Sequence, residues 1–268
     1  MDHPLSRPEL SGDDQDRDKR SAWEIARRAD VIALDVVGTI IDTAEPFPVT
    51  YARVARRFGV EADAEQVAAR FPAAMRSIWG DGSSETDEDS ERDRWQQVVR
   101  AVLPDVGERF EEVFDELWVH FSSATAWTWF PDARALVERL IGEQRCWGLA
   151  SNFDGRLHLW TKTQSLARAA SFVRTSADLG VLKRDPLFYE RLAGTARWQA
   201  SRNDRRGESE QVRMVMIGDQ PANDYEPAIA AGWDAICLCR TEAAWEAAAE
   251  AGRPRIRTLA ELFEPSIG

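Results

Sequence analysis

Val31-Ile32-Ala33-Leu34-Asp35-Val36-Val37-Gly38-Thr39-Ile40-Ile41-Asp42 is an apolar run that meets a carboxylate and then turns on Gly-Thr. A continuous apolar stretch closed by a turn signal reads as a buried parallel strand. Ligands of open α/β sheets collect beyond the carboxyl ends of such strands. Asp35 therefore stands where chemistry is done, although an Asp that only satisfies backbone donors at a strand end would carry the same local sequence.

Three later segments also bring functional side chains to element ends. Cys146-Trp147-Gly148-Leu149-Ala150-Ser151-Asn152 is a second strand ending on a hydroxyl. Lys183 precedes Arg184-Asp185-Pro186 and a helix signal, and Met214-Val215-Met216-Ile217-Gly218-Asp219-Gln220-Pro221-Ala222-Asn223-Asp224 is a strand followed by two acids and an Ala-rich helix to Gly232. Each is weak alone. Together, in this order, they resemble the haloacid dehalogenase superfamily over roughly residues 30 to 240.

The resemblance implies a doubly wound, Rossmann-like parallel-sheet α/β core with an inserted all-helical cap of the first type. It implies Asp35 as a nucleophile forming an aspartyl-phosphate, and Lys183 and Ser151 as the other catalytic groups. Phosphate would be held by Ser151, the backbone N–H of Asn152, Lys183 and the Gly38-Thr39 turn. Mg²⁺ would be held by Asp35, the backbone carbonyl of Val37 and Asp219, with Asp224 acting through water or behind the ligands. The chain departs from the family at Val37, where hydrolysing members carry a second Asp as general acid and base. Asp-Val-Val-Gly-Thr-Ile, with Ser151-Asn152-Phe153-Asp154 and Arg156-Leu157, is most similar to a branch that reads Asp-Ala-Val-Gly-Thr-Leu and has no assigned substrates.

Valine can neither protonate a leaving oxygen nor activate water, a contribution worth roughly 10² to 10⁴ in rate. The expected substrate is therefore a small phosphorylated molecule with a good leaving group, such as an acyl phosphate. Asp42 could replace the missing acid only if its loop bends back; capping the hinge is its alternative role. A second reading has the same residues bind a phosphorylated ligand or a protein without turnover. A 2-haloacid dehalogenase is a third, but Val37 and Gly218-Asp219 depart from the Tyr and Ser-Asn-x-x-Asp of that chemistry. A Schiff-base phosphonate hydrolase would need a cap lysine, and the insertion has none.

The 268 residues suffice for a full core and an inserted module. A formal charge of −12 repels polyanions, so neither nucleic acid nor an anionic membrane is an expected partner. No apolar run or leader pattern points to a membrane span or export, so a cytoplasmic protein is expected; its oligomeric state, monomer or homodimer, is not set by the sequence. Cys146, Cys237 and Cys239 read as buried reduced thiols.

The expected organisation is a solvated, charged tail over 1–20, a core over 21–43 and 130–268, and a helical cap over 44–129. Within the cap, Val49 to Phe58 reads as a helix closed by Gly59, and Asp63 caps a second that Pro72 should kink. Trp95, Val98, Val99 and Val102 mark a third, and Phe110, Val113, Phe114, Leu117, Trp118 and Phe121 form the stripe of a fourth. The acidic Gly80 to Ser90 stretch reads as a solvated connector. Of the eleven tryptophans, Trp79, Trp127 and Trp129 near the cap boundaries are candidates for lining a pocket. Beyond Pro131 the expected elements alternate, with helices over Ala133–Ile141, Asp185–Ala193, Asn223–Ala231 and Thr258–Phe263, and a polar loop over Ser201–Gln211.

Overall fold

The computed structural model describes residues 21–80, 82–203 and 212–262. The expected tail over 1–20 and most of the expected polar loop lie outside the described residues. In chain order, α1 (Ala22–Arg28), β1 (Val31–Leu34) and β2 (Ile41–Thr43) precede the insertion. The insertion holds α2 (Phe47–Arg57), α3 (Ala64–Trp79), α4 (Glu88–Val102) and α5 (Phe110–Ser122). The core resumes with β3 (Trp127–Trp129), α6 (Pro131–Gly142), β4 (Cys146–Ser151), α7 (Arg156–Thr163), β5 (Phe172–Thr175), α8 (Ser176–Leu179) and α9 (Pro186–Asn203). It continues through β6 (Met214–Gly218), α10 (Pro221–Asp224), α11 (Glu226–Ala230), β7 (Asp234–Leu238), α12 (Glu242–Glu250) and β8 (Arg255–Ile256).

Six strands form one parallel sheet in the order β5-β4-β1-β6-β7-β8. Successive strand residues point to opposite faces, and both faces are covered. Ile32, Leu34, Trp147, Leu149, Val215 and Ile217 belong to one cluster with α1, α6 and α7. Val31, Ala33, Cys146, Ala150, Met214 and Met216 belong to another with Phe188, Tyr189 and Leu192 of α9. Burial on both faces explains why these strands read as unbroken apolar runs.

The insertion has its own core, built on Tyr51, Val54, Val98, Val102, Val113, Phe114 and Leu117. Its helices start and stop where the sequence indicates: Gly59 is left-handed (φ 76°) after α2, and Asp63 accepts from the Glu65 N–H ahead of α3. The α-helix α3 is continuous through Pro72. The insertion is joined to the core through β2 and β3, which pair antiparallel, Ile41 with Trp129 and Thr43 with Trp127. This hairpin was not expected from the sequence.

The described residues of the Gly80 to Ser90 stretch are mostly exposed, as expected of a connector, but the stretch also opens α4 and bonds to the core. Asp87 caps α4 by accepting from the Ser90 N–H (2.8 Å), with Glu88, Asp89 and Glu91 in the first turn where the helix dipole favours acids. Upstream, Leu182 donates to the Ser84 carbonyl (2.7 Å) and Glu85 bridges to Val181. The α9 helix runs to Asn203, past the expected end at Ala193, and the expected last helix is a short 3-10 turn over Leu259–Leu262. Cys146, Cys237 and Cys239 are buried with free thiols. Among the described residues no helix is long and apolar enough to cross a membrane.

Candidate active site

Because β1 lies between β4 and β6, the residues that follow all three strands converge at one edge of the sheet. Asp35 follows β1, Ser151 ends β4, and Asp219 follows β6. The Asp35 N–H donates to the Ile217 carbonyl at 2.9 Å, fixing the first carboxylate beside the third strand. Ser151 Oγ lies 3.4 Å from Asp35 Oδ1.

Lys183 reaches the same carboxylate from the loop before α9. Its Nζ donates to Asp35 Oδ1 at 2.6 Å and also pairs with Asp224 Oδ1. The side chain is almost wholly buried, which would push the ammonium down, but Asp224 and Asp35 outweigh burial and hold its pKa above the ordinary lysine value. Asn152 enters through its side chain, whose Oδ1 accepts the Lys183 N–H at 2.9 Å.

The Gly38-Thr39 turn closes the site from β1. Ile40 and Ile41 donate back to the Val36 carbonyl, and Gly38 is left-handed (φ 86°). A Cβ at Gly38 would lie 2.5 Å from Asp219 Oδ2, so the turn approaches Asp219 as only glycine allows. The Thr39 hydroxyl donates to Asp219 Oδ1 at 3.3 Å. Gly218 serves Asp224 in the same way, since a Cβ there would stand 2.2 Å from Asp224 Oδ2.

Asp35, Asp219 and Asp224 offer carboxylate oxygens that all lie within 4.8 Å of one another. Burial, then the charges of Asp35 and Asp224, pushes Asp219 up to about 7. Burial pushes Asp224 up to about 6 against the pull of Lys183. Asp224 Oδ1 is buried with no hydrogen bond in good geometry, its charge met by the Lys183 ammonium. A surplus of negative charge held on closely set oxygens suits a hard divalent cation such as Mg²⁺.

Val37 is half-buried and packs against the main core cluster. Asp42 is exposed on β2, where its Oδ1 accepts from the Thr43 N–H. Of the tryptophans named above, Trp79 packs on Trp95 within the insertion and Trp129 on Trp160 within the core. Trp127 lies against Phe153, just after Asn152.

Two arginines, Arg240 and the Arg156 of the quoted Arg156-Leu157 pair, hold roles that the sequence alone does not assign. Arg240, beyond β7, donates to the carbonyls of Gly38 (3.2 Å) and Thr39 (2.8 Å) while paired to Asp132. Its signal was a charged residue directly after an apolar strand. Arg156 forks onto buried Asp154 (2.8 and 2.6 Å) and stacks on Trp118 of the insertion, 3.7 Å from the ring centroid. The Asp154-Gly155-Arg156 run that follows Ser151-Asn152-Phe153 is thus a seam between core and insertion.

A family model for haloacid dehalogenase-like hydrolases matches residues 29–232. Haloacid dehalogenase-like hydrolase domain-containing protein 3 of Bos taurus is 25% identical over 223 residues, covering 79% of this chain and 82% of that protein. Among solved structures, the HAD-hydrolase YfnB from Bacillus subtilis, bound to magnesium, superposes with a TM-score of 0.62 at 15% identity, over 88% of this chain and 97% of that one. A HAD family hydrolase from Deinococcus radiodurans R1 with bound phosphate and sodium gives 0.55 at 20% identity, over 87% and 93%. At these identities the structural likeness is one of fold.

Proposed function

Because the chain belongs to the haloacid dehalogenase-like hydrolases, we propose that it is a Mg²⁺-dependent phosphohydrolase acting on a small phosphorylated molecule with a good leaving group. The observation that carries this reading is the Lys183–Asp35 contact of 2.6 Å at the carboxyl end of β1, with Ser151 beside it. A carboxylate so held is a competent nucleophile toward phosphorus.

Asp35, Asp219 and the carbonyl of Val37 would hold the metal, with Asp224 behind them. Bound there, Mg²⁺ supplies positive charge that offsets the repulsion between the carboxylates and phosphate oxygens. In the first step an Asp35 oxygen bonds to phosphorus, and the leaving oxygen departs with the electron pair of the bond that breaks. In the second, water bonds to phosphorus, the bond from Asp35 breaks, and inorganic phosphate is released with one proton passing to solvent. Lys183 and Ser151 neutralise and orient the phosphoryl oxygens throughout. No acid stands at position 37, so the leaving group must carry its own negative charge, as an acyl phosphate's does.

The packing of Val37 into the core favours one rival, a protein that binds a phosphorylated ligand without turnover. The test is phosphate release from acetyl phosphate, p-nitrophenyl phosphate and sugar phosphates, with and without Mg²⁺, for the natural chain and Asp35→Asn. Turnover that requires both Mg²⁺ and Asp35, fastest on acetyl phosphate, is expected. Ligand binding without turnover would support the rival.

A further inference from the structure

We propose that Arg184 is a positioning residue, which fastens insertion residues 79–80 and 82–86 onto the loop carrying Lys183 and so sets the lysine ammonium against Asp35. The inference rests on the reading of Lys183 as a catalytic group.

The loop from Val181 to Arg184 grips this segment on both sides of the lysine. Ahead of Lys183, Leu182 donates to the Ser84 carbonyl at 2.7 Å, Thr86 donates to the Gly180 carbonyl at 3.3 Å, and Glu85 bridges to Val181. After it, the Arg184 guanidinium sits in a cage of acceptors. It donates to the carbonyls of Trp79, Gly80 (2.8 Å), Gly82 (2.5 Å) and Ser83 (3.0 Å), and to Ser84 Oγ (3.4 Å). Five donors in a planar fork can serve such a cage, and a lysine ammonium with three cannot.

Lys183 is thus tethered at both neighbours to the insertion, while its own N–H is tethered to Asn152 of the core (2.9 Å). The backbone that carries the lysine has no slack. The side chain must cross a buried space to reach Asp35 and Asp224, so a shift of the loop would carry the ammonium away from the carboxylate. A misplacement of about 1 Å at a reacting group can cost on the order of 100-fold in rate. Residues 79–80 and 82–86, though part of the insertion, therefore work as a wall of the catalytic loop.

The sequence supplies a direct readout, because the chain has three lysines, Lys19, Lys162 and Lys183. Lys162 is exposed and Lys183 is buried. Labelling of the full chain with acetic anhydride, read lysine by lysine by peptide mass spectrometry, reports whether Lys183 keeps its place, with Lys162 as the internal standard. In Arg184→Ala the Lys183 rate is expected to rise about tenfold or more relative to Lys162, with a melting temperature within about 4 °C of the natural chain. On acetyl phosphate with Mg²⁺, kcat should fall by roughly 10- to 100-fold with a smaller change in KM. Arg184→Gln keeps part of the cage and should fall between; it also carries the test if Arg184→Ala does not fold. Unchanged protection of Lys183 would overturn the inference, as would faster labelling with an unaltered kcat. If the natural chain turns over nothing, the proposed activity fails, and the labelling ratio still decides the placement of Lys183.

Discussion

Lys183 Nζ stands 2.6 Å from Asp35 Oδ1 and also pairs with Asp224, so one buried cation is shared by a carboxylate that follows β1 and one that ends α10. Removing it leaves Asp35, Asp219 and Asp224 to repel one another in a poorly solvated space. Breaking a buried pair from one side typically costs about 3–5 kcal/mol. Lys183→Met should lose stability on that scale in urea unfolding near neutral pH, and turnover should fall on the order of 100-fold or more. A variant as stable as the natural chain would show that the carboxylates are neutral there without the lysine.

The pH dependence follows from Asp219, pushed up to about 7, and Asp224, pushed up to about 6. The folded protein holds protons that an unfolded chain, whose Asp side chains titrate near 3.9, has already released. For these two groups stability is greatest at acid pH, declines as pH rises from about 4 to about 7, and then levels off. A divalent cation must displace the same protons. The rise in melting temperature produced by Mg²⁺ should therefore be larger near about pH 8 than near about pH 5. An equal rise at both would place Mg²⁺ away from these carboxylates.

Val37→Asp restores a carboxyl at the family's general-acid position. If leaving-group protonation is what the chain lacks, the rate on an alkyl phosphate should rise by up to about 10²-fold, and the preference for acetyl phosphate should shrink. The same change puts a carboxyl against the main core cluster and should cost about 1–3 kcal/mol in urea unfolding. Stability lost with no gain on alkyl esters would mean that position 37 does not face the leaving group.

A methyl at Gly38 meets Asp219 Oδ2 at 2.5 Å and is strained at φ 86°. Gly38→Ala should cost about 1–3 kcal/mol and weaken the response to Mg²⁺ more than that loss of stability would explain. Comparing the Mg²⁺ shift in melting temperature with that of the natural chain separates the two effects.

Arg156→Lys keeps the charge but not the fork onto Asp154 or the flat stack on Trp118. The expected loss is about 1–3 kcal/mol in urea unfolding. Tryptophan fluorescence should report it, since Trp118 and Trp95 lie around the guanidinium. A loss no larger than that of an exposed arginine would show that the seam contributes little.

The sequence discloses the carboxyl edge of the sheet because each strand there is an unbroken apolar run, and the polar residue after it stands out. Asp35, Ser151 and Asp219 are legible for that reason, and the helical stripes of α4 and α5 for a similar one. The grip of Arg184 and Arg240 is not legible, because both reach for backbone carbonyls, which every sequence has. The bonds of Gly80, Gly82, Ser83 and Ser84 to the Lys183 loop are hidden for the same cause: these residues read as solvated and are largely exposed, while their carbonyls do the bonding. The helix expected to end at Ala193 continues to Asn203 as α9, with Phe188, Tyr189 and Leu192 packed on the sheet.

The β2–β3 hairpin bears on how the chain assembles. Ala44 donates to the Ala126 carbonyl (2.8 Å) and Phe130 to the Ile40 carbonyl (3.0 Å), so the ladder extends past the strands at both ends. Pairing Val31 with Cys146 requires the chain to close a loop containing all four insertion helices. Once the hairpin has zipped, only the short arms outside it still have to be brought together. Closure entropy grows with the logarithm of loop length, so the relief is on the order of 1–2 kcal/mol. The hairpin also acts as a splice junction: a helical cassette of another length or sequence can be carried between Thr43 and Trp127 without altering the register of the sheet.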